Sequence, residues 1–374
     1  MKVLVTGGCG FIGSNLIEAL EKKDNITEIY CVDDMSAPRH DAHDWLKKRF
    51  KVKFIDACFA SESTLKVIKN KDIDFVYHLA AIPRVSYSVE HPAKTTNTNI
   101  NKTVKLIEAC IGNISRFIFS SSSSVYGGAD KMPTPATHAK NPKSPYAWQK
   151  DSIENVLRIF CELHSDFDAV SLRYFNVFGP GQFGGSAYST AISAWCHAVK
   201  HGEPLRKDGS GEQSRDLCYV DNAVSANILA SDYREKLNGK CFNVACGDRT
   251  SNNQILQHFE RRYGSLNITH APFRQGDVMH TQADIEEVKG LYKHAESLAQ
   301  ANKSTFVSAL QASVRPVITY AFFSIFAFVK ITYVILATQG GEDLLPAILA
   351  AWDEESQTIF AAIISFWFGN RLFR

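Results

Sequence analysis

Met1-Lys-Val-Leu-Val-Thr-Gly-Gly-Cys-Gly-Phe-Ile-Gly-Ser-Asn15 is the stretch that decides the fold. The apolar run Val3 to Val5 reads as a buried strand, and it breaks into Gly7, Gly8, Gly10 and Gly13. Ile12, Leu16, Ile17 and Leu20 then recur at helical spacing. Strand, tight turn and helix come in the order a dinucleotide site needs. Glycines let the backbone turn sharply and approach a pyrophosphate, and a helix N-terminus supplies N–H donors and the positive end of its dipole. Gly7, Gly10, Phe11, Ile12 and Gly13 are the candidate pyrophosphate-binding residues. Their spacing differs slightly from the common fingerprint, and a purely structural corner also uses glycines. The second strand, Ile29-Tyr-Cys-Val-Asp33, favours the dinucleotide. It ends in an acid about twenty residues past the turn, where a carboxylate binds the adenosine ribose. That acid, with no basic replacement on the strand end, favours NAD over NADP, although Arg39 lies near enough in sequence to leave NADP open.

Working outward, Val52-Lys-Phe-Ile-Asp56 reads as a third strand. Phe75-Val-Tyr-His-Leu-Ala-Ala81 is nearly all apolar, as a strand buried on both faces should be. A helix carrying Asn97, Asn99 and Asn101 follows. The fifth strand, Arg116-Phe-Ile-Phe-Ser120, runs into serines, and a helix from Ala147 to Leu163 leads to a sixth, Ala169-Val-Ser-Leu-Arg173. This alternation predicts an α/β fold, a Rossmann-type doubly wound parallel sheet. Ligands of such sheets bind at the carboxyl ends of the strands. The glycines, Asp33, Asp56, Ala57, Ala80, Ala81, the serine run and Tyr174-Phe-Asn176 all fall there. Residues 1–178 form the expected NAD-binding domain, and 179–289, where the pattern loosens into glycine-rich loops, a smaller substrate lobe. Residues 290–374 differ in kind and form a helical tail.

Composition excludes several classes. The chain has 374 residues, 45% of them hydrophobic and 21% charged, which is ordinary for globular protein. A net charge of +2 gives no case for nucleic-acid binding. The nine cysteines are scattered and odd in number, with no C-x-x-C pair, so reduced thiols are expected and no metal site. Met1 runs directly into the first strand, so no secretory signal is expected and the catalytic part belongs in the cytoplasm.

Ser120-Ser-Ser-Ser-Ser-Val-Tyr-Gly127 closes a strand, and Tyr146-Ala-Trp-Gln-Lys150 follows it. Tyr146 and Lys150 share one helix face. An ammonium beside a phenol lowers its pKa from about 10 toward neutrality, which makes Tyr146 a candidate general base with Ser122 holding the substrate oxygen.

In this order the motifs resemble the extended short-chain dehydrogenase/reductases, and within them the nucleotide-sugar 4-epimerases. Thr6 to Gly13, His78-Leu-Ala-Ala81, Ser121 to Gly127, Ser144-Pro-Tyr-Ala147 with Lys150, Arg173 to Pro180 and Arg215-Asp216 carry the resemblance, up to about Glu287. It implies Ser122, Tyr146 and Lys150 as the catalytic set, with Lys150 also on the nicotinamide ribose, and NAD as cofactor. Asn99 matches an active-site Asn, although Lys102 breaks the Asn-x-x-Gly pattern there. Ala80, Ala81 and Tyr174 join the cofactor side. The second lobe looks most like UDP-N-acetylglucosamine 4-epimerases. That implies Asn176, Arg215 and Arg274 on the diphosphate, Asp277 on the uridine ribose, and Ser123 and Thr281 by the sugar. A small residue at 281 leaves room for an N-acetyl group. The implied reaction is 4-epimerisation of a UDP-sugar through a 4-keto intermediate. Dehydratases of this family place Asp-Glu after the catalytic Thr, where this chain has Ser123-Ser124. The resemblance also implies a homodimer through helices after Asn97 and Pro145. A non-catalytic nucleotide-sugar binding module is the other reading of these blocks.

The tail carries an apolar run from Pro316 to Ala337 of about twenty residues, long enough to span a bilayer, with one charge at Lys330. Ile359 to Phe368 is a second, shorter apolar stretch. Ser313 to Tyr320 and Ile359 to Arg371 are similar to phage three-transmembrane holins, so a membrane contact through residues 314–368 and anchoring to the inner membrane are expected. The other readings are a buried hairpin completing a truncated epimerase domain, a holin-like membrane protein with an inert head, and a join of two reading frames.

Overall fold

The computed structural model describes residues 1–185, 189–273, 278–290, 330–341 and 343–353. The chain divides into two compact units, Met1–Glu296 and Ser297–Arg374.

The first unit opens with β1 (Lys2–Thr6), α1 (Phe11–Glu21) and β2 (Glu28–Asp33). Next come α2 (Ala42–Lys47), β3 (Val52–Asp56), α3 (Glu62–Asn70) and β4 (Phe75–His78). Three helices, α4 (Val85–Glu90), α5 (Pro92–Thr96) and α6 (Lys102–Cys110), precede β5 (Arg116–Ser122). The π-helical turn Asn97–Asn101 joins α5 to α6. Then α7 (Pro145–Leu163) leads to β6 (Ala169–Tyr174). Ser144 caps α7 by accepting from Ala147 N at 3.2 Å, and Pro145 fits the first turn, where its missing N–H costs nothing.

Seven strands form one sheet in the order β11-β6-β5-β4-β1-β2-β3, every pairing parallel. Six strands were legible. The seventh, β11 (Lys240–Val244), comes from the stretch read as a substrate lobe and pairs with β6. Helix α9 (Val220–Asp232) returns with it and packs against α1. Successive strand residues face opposite sides, and β1 shows the result. Val3 and Val5 pack with Leu16, Ile17, Val170, Ala223 and Ala226, whereas Leu4 packs with Val76, Leu106, Ile107, Phe117, Ile153 and Leu157. Burial on both faces explains the near-continuous apolar strands.

The lobe elements are short. They are β7 (Val177–Phe178), α8 (Ala191–His201), β8 (Leu205–Asp208), β9 (Ser214–Arg215), β10 (Cys218–Tyr219), β12 (Thr250–Ser251), α10 (Asn252–Tyr263) and β13 (Ile268–Ala271). Their strands pair two by two, β10 with β7, β12 with β9, and β13 with β8. All nine cysteines are free thiols.

In the second unit the described residues form a helical stretch at 330–339 and the helix Leu344–Ala351. Lys330 Nζ lies 3.6 Å from Asp353 Oδ2, so the charge expected in mid-span has a carboxylate beside it. Among the described residues no helix is long and apolar enough to cross a membrane. Residues 314–329 and 354–368 of the expected membrane segment lie outside the described residues.

The glycine turn is closely packed against backbone. A Cβ on Gly13 would lie 2.1 Å from Gly7 O and 2.8 Å from Gly8 Cα. Gly13→Ala is therefore expected to destabilise the first unit by about 3 kcal/mol, lowering Tm by roughly 6 °C or more. Thermal unfolding of the purified variant checks this, and an unchanged Tm contradicts it.

Candidate active site

The order of the sheet reverses at β1, whose neighbours are β4 and β2, and the carboxyl ends of strands at such a reversal are where parallel sheets bind ligands in a crevice. The glycine turn lies there. Gly7 has φ of +68°, and a side chain on it would meet Ala80 Cα and N at 2.9 Å. Gly10 N donates to Gly7 O at 3.1 Å, and α1 starts at Phe11 with no side-chain cap at Gly10. The first-turn amides of Phe11, Ile12 and Gly13 thus point out of the helix end toward the crevice. Asp33, ending β2, accepts Cys9 N on Oδ2 and Met35 N on Oδ1, both at 2.9 Å. Burial raises its pKa, and those backbone bonds pull it down. Asp56 sits opposite Asp33 in the β2–β3 register, and Ala57 N donates to Asp33 O. Ala80 N donates to Thr6 Oγ1, which also meets His78 Nδ1 at 2.8 Å; His78 Nε2 meets Thr103 Oγ1 at 3.0 Å. Burial lowers His78 to about 3, so the ring is neutral and donates from one nitrogen only. The narrow turn, the open helix end and the acid at β2 together fit NAD.

Arg39 is committed elsewhere. Its Nε donates to Asp41 at 2.5 Å, its Nη1 lies 3.7 Å from Glu18, and its guanidinium stacks over Trp45.

Tyr146 is buried at the start of α7, and its backbone N donates to Ser88 Oγ at 3.1 Å. Ser122 ends β5, its Oγ accepts Ser124 N at 3.2 Å, and its hydroxyl acts to lower the pKa of the Tyr146 phenol. Ser123 opens the short 3-10 turn that follows. The expectation of a phenol tuned toward neutrality by Lys150 does not hold in this structure. Burial pushes Tyr146 up to about 12, and the groups pulling it down are the Ser122 hydroxyl and the Arg84 guanidinium. Lys150 Nζ lies 5.8 Å from the Tyr146 ring centre but donates to Ser120 O at 2.7 Å, and burial draws its own pKa down to about 7. Spacing put the two residues on one face; the strand carbonyl decided where the ammonium went.

Asn99 lies in the π turn and is buried. Its Oδ1 accepts Ile82 N at 2.8 Å, and its Nδ2 donates to Ile82 O and to Gln149 Oε1. Here Asn99 fixes the loop after β4. The Tyr174 hydroxyl meets Ser120 Oγ at 3.1 Å and Asn227 Nδ2 at 2.6 Å, and burial pushes it up to about 12.

Across the crevice Asn176 follows β6 at φ of +27°. Its Nδ2 donates to Asp216 O at 3.1 Å and Thr281 Oγ1 at 3.2 Å, and Thr281 Oγ1 also accepts Asp216 N. Arg215 Nη1 donates to Ser214 O at 3.0 Å, the carbonyl that also accepts Thr281 N. Asn176, Arg215 and Thr281 are thus brought together. Arg274 and Asp277 lie outside the described residues. Buried Asp216 braces this corner by accepting Cys246 N, Gly247 N and Ala283 N. Sequence reading missed Arg84, Ser88, Gln149 and this bracing role of Asp216. Only Gln149 and Asp216 sat inside recognisable blocks.

Residues 3–245 match the NAD dependent epimerase/dehydratase family. The chain belongs to that family. It is an enzyme of the short-chain dehydrogenase/reductase type, and its cofactor is NAD. An uncharacterised UDP-glucose epimerase of Bacillus subtilis is 32% identical over 326 residues, covering 83% of this chain and 99% of the relative. Among solved structures, the UDP-N-acetylglucosamine 4-epimerase of Methanobrevibacter ruminantium, in complex with UDP-N-acetylmuramic acid, is 35% identical. It superposes with a TM-score of 0.72 over 78% of this chain and 91% of that one. The UDP-glucuronic acid 4-epimerase of Bacillus cereus, in complex with UDP-glucuronic acid and NAD, is 29% identical, with a TM-score of 0.71 over 79% and 93%.

Two outcomes follow from these contacts. An acid at the end of β2 and an Arg39 held by Asp41 and Glu18 predict that NADP binds at least roughly tenfold weaker than NAD by calorimetry; equal affinities contradict this. Removing the Ser122 hydroxyl removes an influence that lowers the Tyr146 pKa, so that pKa rises. In Ser122→Ala the phenolate fraction at neutral pH falls and the ascending limb of kcat/KM, which reports the base, moves to higher pH. Turnover should fall by roughly a hundredfold. A pH–rate profile with an unmoved limb contradicts the assignment.

Proposed function

We propose that the protein interconverts UDP-N-acetylglucosamine and UDP-N-acetylgalactosamine by NAD-dependent epimerisation at C4. The observation that carries this reading is the buried Tyr146 at the start of α7, whose phenol pKa is lowered by the hydroxyl of Ser122 at the end of β5, in a chain whose glycine turn ends β1 of the same sheet. Two further points support the substrate. The relative acting on UDP-N-acetylglucosamine is 35% identical, and position 281 carries the small Thr281.

Gly7, Gly10, Phe11, Ile12 and Gly13 would hold the NAD pyrophosphate. Asp33 would bind the adenosine ribose, with Asp56 and Ala57 beside the adenine. Ala80, Ala81, Asn99 and Tyr174 line the nicotinamide side, and Lys150 reaches its ribose. Bound NAD supplies the hydride acceptor and donor at the sugar C4. Tyr146, as phenolate, takes the proton of the C4 hydroxyl, and Ser122 donates a hydrogen bond to the same oxygen. The 4-keto sugar would turn over within the pocket and present its opposite face for the return of hydride to C4, while Tyr146 returns the proton to the C4 oxygen. Ser123 contacts the sugar. Asn176, Arg215 and Arg274 hold the diphosphate, since guanidinium forks match phosphate oxygens, and Asp277 takes the uridine ribose. Thr281 leaves space for the N-acetyl group. The cofactor domain of 1–178, with β11 and α9 returned to its sheet layers, and the remainder of the 179–289 lobe would enclose this pocket.

Two assembly features belong to the same reading. Trp148, Ile159 and Leu163 are exposed along one stripe of α7, and Val85 and Val89 are exposed on α4, which packs against it. A homodimer through these helices would cover them. The tail, read as a membrane segment, would hold the catalytic unit on the cytoplasmic side of the inner membrane; fractionation of expressing cells tests this, and an entirely soluble full chain contradicts it.

The reaction is tested with UDP-N-acetylglucosamine and UDP-glucose in parallel on the full chain. C4 epimerisation of the acetylated sugar is expected, falling at least roughly a thousandfold in Tyr146→Phe. No epimer from either sugar, with NAD bound, contradicts the reading.

A further inference from the structure

Gln149 stands on α7 between Tyr146 and Lys150 and has no part in the scheme above. It is fully buried, and its amide ties three segments together. Nε2 donates to Thr95 Oγ1 on α5 at 2.9 Å and to Thr96 Oγ1 at 3.1 Å, and Oε1 accepts Asn99 Nδ2 in the π turn at 2.8 Å. The polarity of these bonds is fixed from the far end. Ile82 N can only donate and Ile82 O can only accept, so Asn99 must turn Oδ1 to the first, at 2.8 Å, and Nδ2 to the second, at 3.1 Å. The other hydrogen of Asn99 Nδ2 then needs an acceptor, and Gln149 Oε1 supplies it. Thr95 Oγ1 lies 3.1 Å from His91 O and from Pro92 O, gives its hydrogen there, and is left to accept from Gln149. Thr95, Asn99 and Gln149 are all buried, and a buried polar network is rigid only while every member is satisfied.

We propose that Gln149 is a positioning residue for the nicotinamide half of the cofactor: acting through Asn99, it holds the loop after β4 at a fixed distance from α7. This rests on the placement above of Ala80, Ala81 and Lys150 on the nicotinamide side. With the adenosine acid at the end of β2, a dinucleotide lying across the carboxyl ends of the strands runs over β1 toward β4 and β5. Its nicotinamide then falls between residues 79–82 and the start of α7. The first of these walls is registered to the sheet, because Ala80 N donates to Thr6 Oγ1 and the Ala80 backbone crowds Gly7. The Asn99–Gln149 amide pair connects that wall to the second. Both hydrogens of Asn99 Nδ2 are engaged by Ile82 O and Gln149 Oε1, so the effect of Asn99 on the cofactor passes through the loop. Gln149 therefore touches neither cofactor nor sugar and sets the width of the slot between them and the helix. A slot misplaced by about 1 Å costs a reacting group its aligned geometry.

The test is calorimetric binding of NAD and of ADP-ribose, which lacks the nicotinamide, to the full chain and to its Gln149→Met, Gln149→Glu and Asn99→Leu variants. The unaltered protein should bind NAD at least roughly fivefold tighter than ADP-ribose. Gln149→Met keeps the length of the side chain and loses its hydrogen bonds; it should bring that ratio to about one while ADP-ribose binds within roughly twofold of its original affinity. Gln149→Glu keeps an oxygen for Asn99 and should retain most of the preference. Because the two amides act in series, Asn99→Leu combined with Gln149→Met should lose no more than the worse single variant. Equal affinities for NAD and ADP-ribose in the unaltered protein overturn the proposal, and so does a preference that survives Gln149→Met or is lost equally in Gln149→Glu. A Gln149→Met variant that weakens both ligands alike also overturns it, because a general loosening of the fold would do that. Turnover in the same samples separates the two readings. A nicotinamide preference lost in Gln149→Met, in a chain that does not epimerise at C4, supports the Gln149 assignment and contradicts the epimerase reading. Epimerisation without that preference contradicts the Gln149 assignment alone.

Discussion

The whole site depends on one close approach, the packing of the glycine turn against the end of β4. Gly7 takes a positive φ with Ala80 backbone 2.9 Å from where its side chain would be, and Gly13 seats α1 directly on Gly7 O. A larger residue at either place would push α1 outward or the β4 loop away. Everything downstream is registered from that contact. Thr6 Oγ1 binds Ala80 N and His78, and the loop after Ala81 runs to Ile82, where Asn99 holds it. From there it passes through Arg84 to Ser88, which receives the backbone N of Tyr146. The glycine turn and the Tyr146 backbone, far apart in sequence, are thereby linked by one chain of short-range contacts.

Charge is handled differently above and below the sheet ends. Beneath the site, buried Glu154 accepts Arg173 at 2.9 and 2.8 Å and Ser121 Oγ at 2.6 Å. Burial alone would raise the Glu154 pKa, and Arg173 more than offsets it, so the carboxylate stays ionised. That pairing is what makes a buried charge tolerable, and it holds β5, β6 and α7 together where Ser122 and Tyr146 need to stand. In the site itself Lys150 donates to the Ser120 carbonyl, lies over the Phe119 ring, and is drawn down by burial to about 7.

The parts legible in the sequence are those fixed by local chemistry. Strands buried on both faces have to be apolar, so β1, β2, β4, β5 and β6 announced themselves. Glycines crowded by backbone, and an acid at the end of the next strand, marked the cofactor end. The parts that escaped depend on contacts between distant segments. Strand β11 follows glycine-rich loops and reads locally as a loose stretch, yet β6 gives it a parallel partner. Ser88 and Arg84 are ordinary in sequence and matter because α4 packs on α7. The spacing of Tyr146 and Lys150 was read correctly as a shared face, but spacing says nothing of the Ser120 carbonyl that captures the lysine. The family match supplies the class of enzyme; the contacts supply reasons for its residues.

Whether the hydrogen at C4 leaves and returns without meeting water is the most direct question to put to this account. It is answered by giving the NAD-loaded full chain a UDP-N-acetylhexosamine carrying deuterium at C4 in ordinary water. The account predicts an epimer that keeps its deuterium at C4, because the C–H bond is remade inside the closed pocket while only the hydroxyl proton passes through Tyr146. Epimer with hydrogen from solvent at C4 would mean that the inversion proceeds by proton exchange at carbon, and the assignment of Tyr146, Ser122 and the glycine turn to one hydride-transfer site would be wrong.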